Sequence, residues 1–208
     1  ENIEAKGGVV LAKSNTPEFG AGANTFNEVF GKTRNPWDTR MTCGGSSGGS
    51  AVSLATGQVW LATGSDLGGS LRIPASFCSV VGLRPTPGRV PHGPKDLPFS
   101  SMSVEGPMGR TVGDVALFLD TQAGQNPVDP LSLPTPFESY VEAARKAQAP
   151  KRIAYSPDLG IAPVDAEVRD ICARAMRLFE DGPSTVVEDH PDLLDAEEIF
   201  QALRAAQF

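Results

Sequence analysis

Residues 43–91 read CGGSSGGSAVSLATGQVWLATGSDLGGSLRIPASFCSVVGLRPTPGRVP, and the interpretation of the whole 208-residue chain turns on this stretch. It joins two glycine-flanked serine turns, one at Ser46 and one at Ser70, through a segment that has to fold. A Gly/Ser run taken alone reads as a flexible linker. Here apolar segments stand on both sides, and the second turn runs straight into RIPASFCSVVGL, which is unlike a solvated linker. Between the serines, 50–56 is predicted as a short helix entered through a tight turn at Gly48 and Gly49, and 58–63 as a buried strand carrying Val59, Trp60 and Leu61. That succession lets the chain leave and return to the same edge of a sheet.

In the second turn, Asp66-Leu67-Gly68-Gly69-Ser70, the missing side chains at Gly68 and Gly69 let successive backbone N–H groups point at one spot. Such a nest suits a developing oxyanion, to which each preorganised donor contributes about 3 kcal/mol in the transition state. Asp66 and Arg72 flank the nest. A charge-assisted pair between them would fix its shape, and an ordinary surface ion pair is the competing reading.

Working outward, 40% hydrophobic and 21% charged residues make an ordinary globular balance. A net charge of -7 argues against gripping phosphate backbones, so no nucleic-acid partner is expected. Cys43, Cys78 and Cys172 form neither a CxxC pair nor an even framework, so neither a metal knuckle nor a disulfide-stapled secreted fold is indicated, and a reducing compartment fits best. There is no apolar run of spanning length, and ENIEAKGG lacks the regions of a secretory signal, so the expectation is a soluble, cytoplasmic protein without a membrane partner. Both ends read as cut: the chain starts at Glu1, and Leu194, Ile199, Leu203 and Phe208 keep a helical spacing to the last residue.

Other elements follow from periodicity. The run 9–12 is predicted as a buried strand, followed by a long irregular stretch with Pro17, Asn35, Pro36 and Trp37. Thr111 with Asp114 three residues on reads as the N-terminus of a helix that ends near Gly124. Residues 125–136 form a connection, 137–147 a helix, 152–155 a strand, 165–180 an amphipathic helix with Val168, Ile171, Ala175 and Phe179 on one face, and 184–188 a strand. Strands alternating with helices imply an α/β layer fold.

The segments VLAKSNTPEFG, FGKTRNPWD, GGSSGGSA, GSDLGGSLRIPASFCSVVGLRPTPGRVP and GPMGRTVGDVALFLD, within about the first 125 residues, together resemble the amidase signature family. The rest, including IAYSPDLGIAPVDAEVR, is similar more loosely. The resemblance implies an α/β/α sandwich around a mixed β-sheet, with 1–208 a single partial domain: 1–125 the signature core and 126–208 its looser continuation. It implies a Ser, cis-Ser, Lys triad, with Ser70 the nucleophile and Ser46 the bridging serine. The N–H groups of Leu67, Gly68, Gly69 and Ser70 would form the oxyanion hole, Ser47 would be a supporting partner, and Asp66 with Arg72 the scaffold pair. The implied reaction is hydrolysis of a small-molecule amide to acid and ammonia or amine through a serine acyl-enzyme, with no cofactor and no metal.

The departures from the family pattern are informative. The family's lysine base lies farther upstream of the bridging serine than the 45 residues preceding Ser46 here. Lys13 matches a different family lysine, and Lys6 and Lys32 have no motif support. The expectation is therefore an active parent amidase and an inactive isolated chain; the alternative is a truncated amidase-like module acting in binding or interaction. Cys43 stands where proline is usual and reads as a small buried thiol rather than a nucleophile. Ile73 after Arg72 favours a stand-alone amidase over a glutamine-dependent transamidation subunit. Gly44-Gly45-Ser46-Ser47-Gly48 formally satisfies GxSxG with His190 downstream, but polar Trp37-Asp38-Thr39-Arg40 precedes it where a strand is needed. His92 and His190 read as loop histidines, and no GxxxxGK[ST] phosphate loop is present.

Overall fold

Glycines and prolines interrupt the first forty residues, and only short elements form there: α1 (Asn2–Ala5), a 3-10 turn (Glu18–Gly20), and the antiparallel pair β1 (Phe26–Asn27) and β2 (Gly31–Lys32). The structure is a computed structural model that describes residues 2–94 and 97–206. It divides into two compact units, Glu1–Lys146 and Ala147–Phe208.

In the first unit, α2 (Gly48–Ala55) leads into β3 (Leu61–Asp66), then α3 (Arg72–Cys78), β4 (Val81–Gly82), β5 (Val104–Gly109), α4 (Val112–Gln122) and α5 (Tyr140–Lys146). Its sheet has the order β3-β5-β4 and is antiparallel throughout, with Leu61 opposite Gly109, Asp66 opposite Val104 and Gly82 opposite Met108. Cys43, Ala51, Leu54, Leu71, Ala75, Cys78 and Met108 bury their side chains between α2, α3 and this sheet. Each large apolar side chain among them contributes about 1.5–3 kcal/mol by leaving water. Pro74 is accommodated because it lies in the first turn of α3, where its missing N–H has no partner to lose.

The capping pattern at Thr111 forms as predicted. Asp114 N donates to Thr111 Oγ1 at 3.1 Å and Thr111 N donates to Asp114 Oδ2 at 3.0 Å, so two orphan amides of α4 are satisfied reciprocally. Asp120, on α4, then accepts from the N–H groups of Tyr140 and Val141 at 2.7 and 3.1 Å and so starts α5.

The irregular stretch before the first serine turn is held by side chains. Asn35 Nδ2 donates to Phe77 O at 2.8 Å and Trp37 Nε1 to Cys78 O at 2.9 Å, which satisfies two carbonyls at the C-terminus of α3. Two expectations shift here. Residues 9–12 form no strand: Val9, Val10 and Leu11 are exposed, because no described strand pairs with them. The strand expected at 58–63 starts only at Leu61, since the turn through Gly57 (φ +72°) occupies the residues before it, and it runs on to Asp66.

The second unit is a βαβ arrangement. β6 (Arg152–Tyr155) and β7 (Thr185–Glu188) pair in parallel, and α6 (Ala166–Arg177) crosses between them, followed by α7 (Ala196–Ala205). Asp165 caps α6 by accepting from Glu167 N at 2.9 Å. α6 ends at Arg177, short of the predicted 180, where the turns through Gly182 and Pro183 take over. No described residue of this unit is buried, and Val168, Ile171, Phe179, Ile199 and Leu203 are exposed. Phe208 lies outside the described residues.

Candidate active site

The Ser46 turn is buried from Cys43 to Ser50, and one hydroxyl organises its backbone. Thr25 Oγ1 donates to Gly44 O at 2.9 Å and accepts from Gly48 N at 3.2 Å. Position 48 needs glycine, because a Cβ there would lie 2.2 Å from Thr25 Oγ1 and 2.6 Å from Cys43 Sγ. The Gly45–Ser46 peptide bond is cis. Ser47 fastens the turn to β3: its hydroxyl donates to Ser65 O at 3.4 Å and accepts from Ser65 N at 3.2 Å. One helical turn on, Ser50 Oγ donates to Thr63 O at 2.8 Å.

The Ser70 turn leaves the end of β3. Asp66, wholly buried, accepts from Gly69 N at 2.8 Å and Leu71 N at 3.3 Å, and its carboxylate takes both Arg72 Nε (2.9 Å) and Nη2 (3.0 Å). Burial alone would raise the Asp66 pKa, but the Arg72 guanidinium and the two amides outweigh it and hold the carboxyl below its ordinary value. Asp66 and Arg72 thus form the bidentate pair, not a loose surface contact, although the Arg72 side chain is 57% exposed. The Gly69 amide is occupied by Asp66, whereas among the described residues nothing accepts from the N–H groups of Leu67, Gly68 and Ser70. Gly69 takes φ +112°, a conformation that favours glycine, and a Cβ there would meet Ile73 Cδ1 at 2.6 Å.

The two turns share neighbours. A Cβ built on Gly44 would lie 3.1 Å from Ile73 Cγ2 and 3.2 Å from Pro74 Cα, so the first turn abuts the start of α3 while Ser47 grips β3. Among the described residues the hydroxyls of Ser46 and Ser70 make no hydrogen bond; Ser46 is buried and Ser70 half-buried. Lys13 and Lys32 are exposed, and Lys6 Nζ donates to Asp120 O, so no described lysine of the first forty residues is buried with the serines. Cys43 and Cys78 are buried, and burial pushes both thiols up, Cys78 to about 11 with help from neighbouring Cys43. An inert thiol at position 43 follows. Ser46 is entered from the irregular loop closed by the Arg34–Thr42 bridge, not from a strand, which removes the nucleophile-elbow reading.

Sequence reasoning missed two residues of this site. Thr25 sits in an aperiodic segment with no signal, and Arg84, in GLRPT, reaches Asp66 only through the fold: its Nη1 donates to the carboxylate Oδ1 at 3.2 Å and to the Asp66 carbonyl, and its Nη2 to Met102 O at 2.9 Å. No cluster of three His, Cys, Asp or Glu suited to a metal occurs among the described residues, and none of their helices is long and apolar enough to cross a membrane.

Comparison with known proteins decides the family, since the Amidase family model matches residues 1–207. The chain belongs to the amidase signature family. Among the relatives of this amidase chain, an acylamidase from Rhodococcus erythropolis is 42% identical over 191 residues, covering 92% of this chain and 40% of that protein. A glutamyl-tRNA(Gln) amidotransferase subunit from Rubrobacter xylanophilus is 42% identical over 181 residues, covering 86% and 38%. A bacterial aryl acylamidase of the amidase signature family superposes with a TM-score of 0.89 at 30% identity, over 99% of this chain and 45% of the other. A 6-aminohexanoate cyclic dimer hydrolase complexed with substrate gives 0.86 at 34%, over 93% and 41%. The fold class is thus the partial α/β amidase fold read from the sequence, and the chain spans about 40% of the length of the curated relatives it matches.

Proposed function

We propose that this segment carries the nucleophile and the oxyanion site of an amide hydrolase working through a serine acyl-enzyme on a small-molecule amide. The observation that carries the reading is the unbonded Ser70 hydroxyl on a turn whose Leu67, Gly68 and Ser70 amides have no acceptor among the described residues. Three donors without a partner beside a nucleophilic oxygen are what a carbonyl oxygen turning into an oxyanion requires.

In the proposed sequence, Ser70 Oγ bonds to the amide carbon while its proton passes to Ser46 and from there to a neutral lysine. The carbonyl π electrons move to oxygen, where the nest holds them. Collapse breaks the C–N bond, and the amine leaves with the proton returned through Ser46. Water then attacks the ester by the same route, releasing acid and Ser70. In the family that lysine lies upstream of the first serine turn, and a base of that kind stays neutral near pH 7 only when buried. Ile73, beside Arg72, favours simple hydrolysis over glutamine-dependent transamidation.

The test is labelling and turnover in the native enzyme. Ser70→Ala is expected to abolish acyl-enzyme formation and covalent labelling by a fluorophosphonate, and Ser46→Ala to slow turnover by about 10²–10⁴-fold, the range of general acid–base assistance. Ordinary turnover by Ser70→Ala overturns the assignment.

A further inference from the structure

We propose that Arg84 is a positioning residue that sets the oxyanion nest. The β3–β5 ladder ends at the Asp66–Val104 pair, and beyond it no strand hydrogen bond holds the chain that becomes the Ser70 turn. At that point the guanidinium of Arg84 takes over. It donates to the Asp66 carbonyl, to Asp66 Oδ1 at 3.2 Å and to Met102 O at 2.9 Å, tying the end of β3 to the segment after β4 and to the segment before β5. A planar fork with several donors can bridge three acceptors in this way, and a lysine ammonium matches them poorly.

Arg72 does not duplicate this role. It rides on the first residue of α3, is 57% exposed and reaches only the carboxylate, whereas Arg84 is 25% exposed and grips the backbone from which the nest springs. Asp66 in turn orients the Gly69 and Leu71 amides. With Gly69 N–H turned onto Asp66, the neighbouring Leu67, Gly68 and Ser70 N–H groups are left for another acceptor. Arg84 therefore acts on the reaction through Asp66 without touching substrate. This rests on the reading of Leu67 to Ser70 as an oxyanion site.

The experiment compares Arg84→Gln and Arg84→Lys with wild type by two readouts. Amide exchange of Gly69 and Leu71 in the 208-residue chain needs no turnover; Arg84→Gln is expected to speed it by at least about tenfold as those donors lose a fixed acceptor. In the native enzyme, Arg84→Gln is expected to lower kcat by about 10–100-fold with KM within about twofold, and to weaken a boronic acid that forms a tetrahedral serine adduct by the same factor as kcat. Arg84→Lys should recover part of each loss, and it decides the matter if the glutamine variant does not fold. Unchanged exchange at Gly69 and Leu71, or a lowered Tm with kcat intact, overturns the role. Exchange that responds in a wild-type protein without amide turnover supports Arg84 as the anchor of the turn and refutes the hydrolase reading instead.

Discussion

Asp66 has no exposed side-chain surface, and it stays ionised because five hydrogen bonds from Gly69, Leu71, Arg72 and Arg84 converge on its two oxygens. Replacing it with asparagine leaves two guanidiniums facing a neutral amide, and Asp66→Asn is expected to cost about 3 kcal/mol, read as a lowered urea midpoint. The pH dependence has a definite sign. The folded-state pKa lies below the ordinary 3.8, so between the two values the unfolded chain holds the extra proton and stability climbs with pH; the contribution is complete above that window and lost as pH falls through it. The acid limb of wild-type stability should therefore be steeper than that of Asp66→Asn, and superimposable limbs would count against the pair. Half of this cluster was legible: Asp66 and Arg72 flank one turn in sequence. Arg84 stands eighteen residues from Asp66 across a helix and a strand, a separation no local pattern encodes.

At the scale of elements, the C-terminus of α3 depends on a side chain from far upstream. Trp37→Phe keeps an aromatic ring at the position but removes the indole N–H that satisfies Cys78 O, and a loss of about 1 kcal/mol in thermal or urea unfolding is expected. No loss would mean that water replaces the donor at that carbonyl. The helices with caps, α4 and α6, were legible because their signals are local: Thr111 with Asp114, and Asp165 ahead of an amphipathic run. Strands fared unevenly. β6 and β7 match the residues read from sequence within one position, whereas β5 escaped because VEGPMG places a proline and two glycines in the central strand of its sheet. Pro107 cannot donate to a ladder, and sequence logic counts that against a central strand. The apolar run at 9–12 shows the converse error: composition suits a strand, but a strand exists only where another pairs with it.

Among the described residues, one unit has a buried core and the other has none. The first unit encloses Leu54, Leu71 and Met108 completely, and the second has no buried described residue and a two-stranded parallel sheet. Parallel sheets are stable when both faces are covered, and apolar burial is the main term that offsets ordering entropy. Hydrogen exchange should separate the two: amides of β6, β7 and α6 opening by local fluctuation, those of β3 and β5 only on global unfolding. Equal protection in both units would refute this contrast. The family was legible from a handful of short motifs, and the βαβ order of the second unit from periodicity. That the apolar side chains of α6 and α7 are exposed was not, because an amphipathic pattern states that a face is apolar and leaves its neighbour unspecified.

The Thr25 hydroxyl bears on how sequence variation in this protein should be interpreted. One oxygen both donates to Gly44 and accepts from Gly48, holding the backbone on either side of Ser46 from an aperiodic stretch about twenty residues away. Valine matches threonine in shape and supplies neither bond, so it leaves the buried Gly48 amide unmatched and the Gly44 carbonyl with only the weak Cys43 thiol donor at 3.5 Å. In a library of random variants, position 25 would therefore sort with the serines, tolerating little beyond threonine, and a screen blind to the fold would enrol a scaffold residue among the reactive ones.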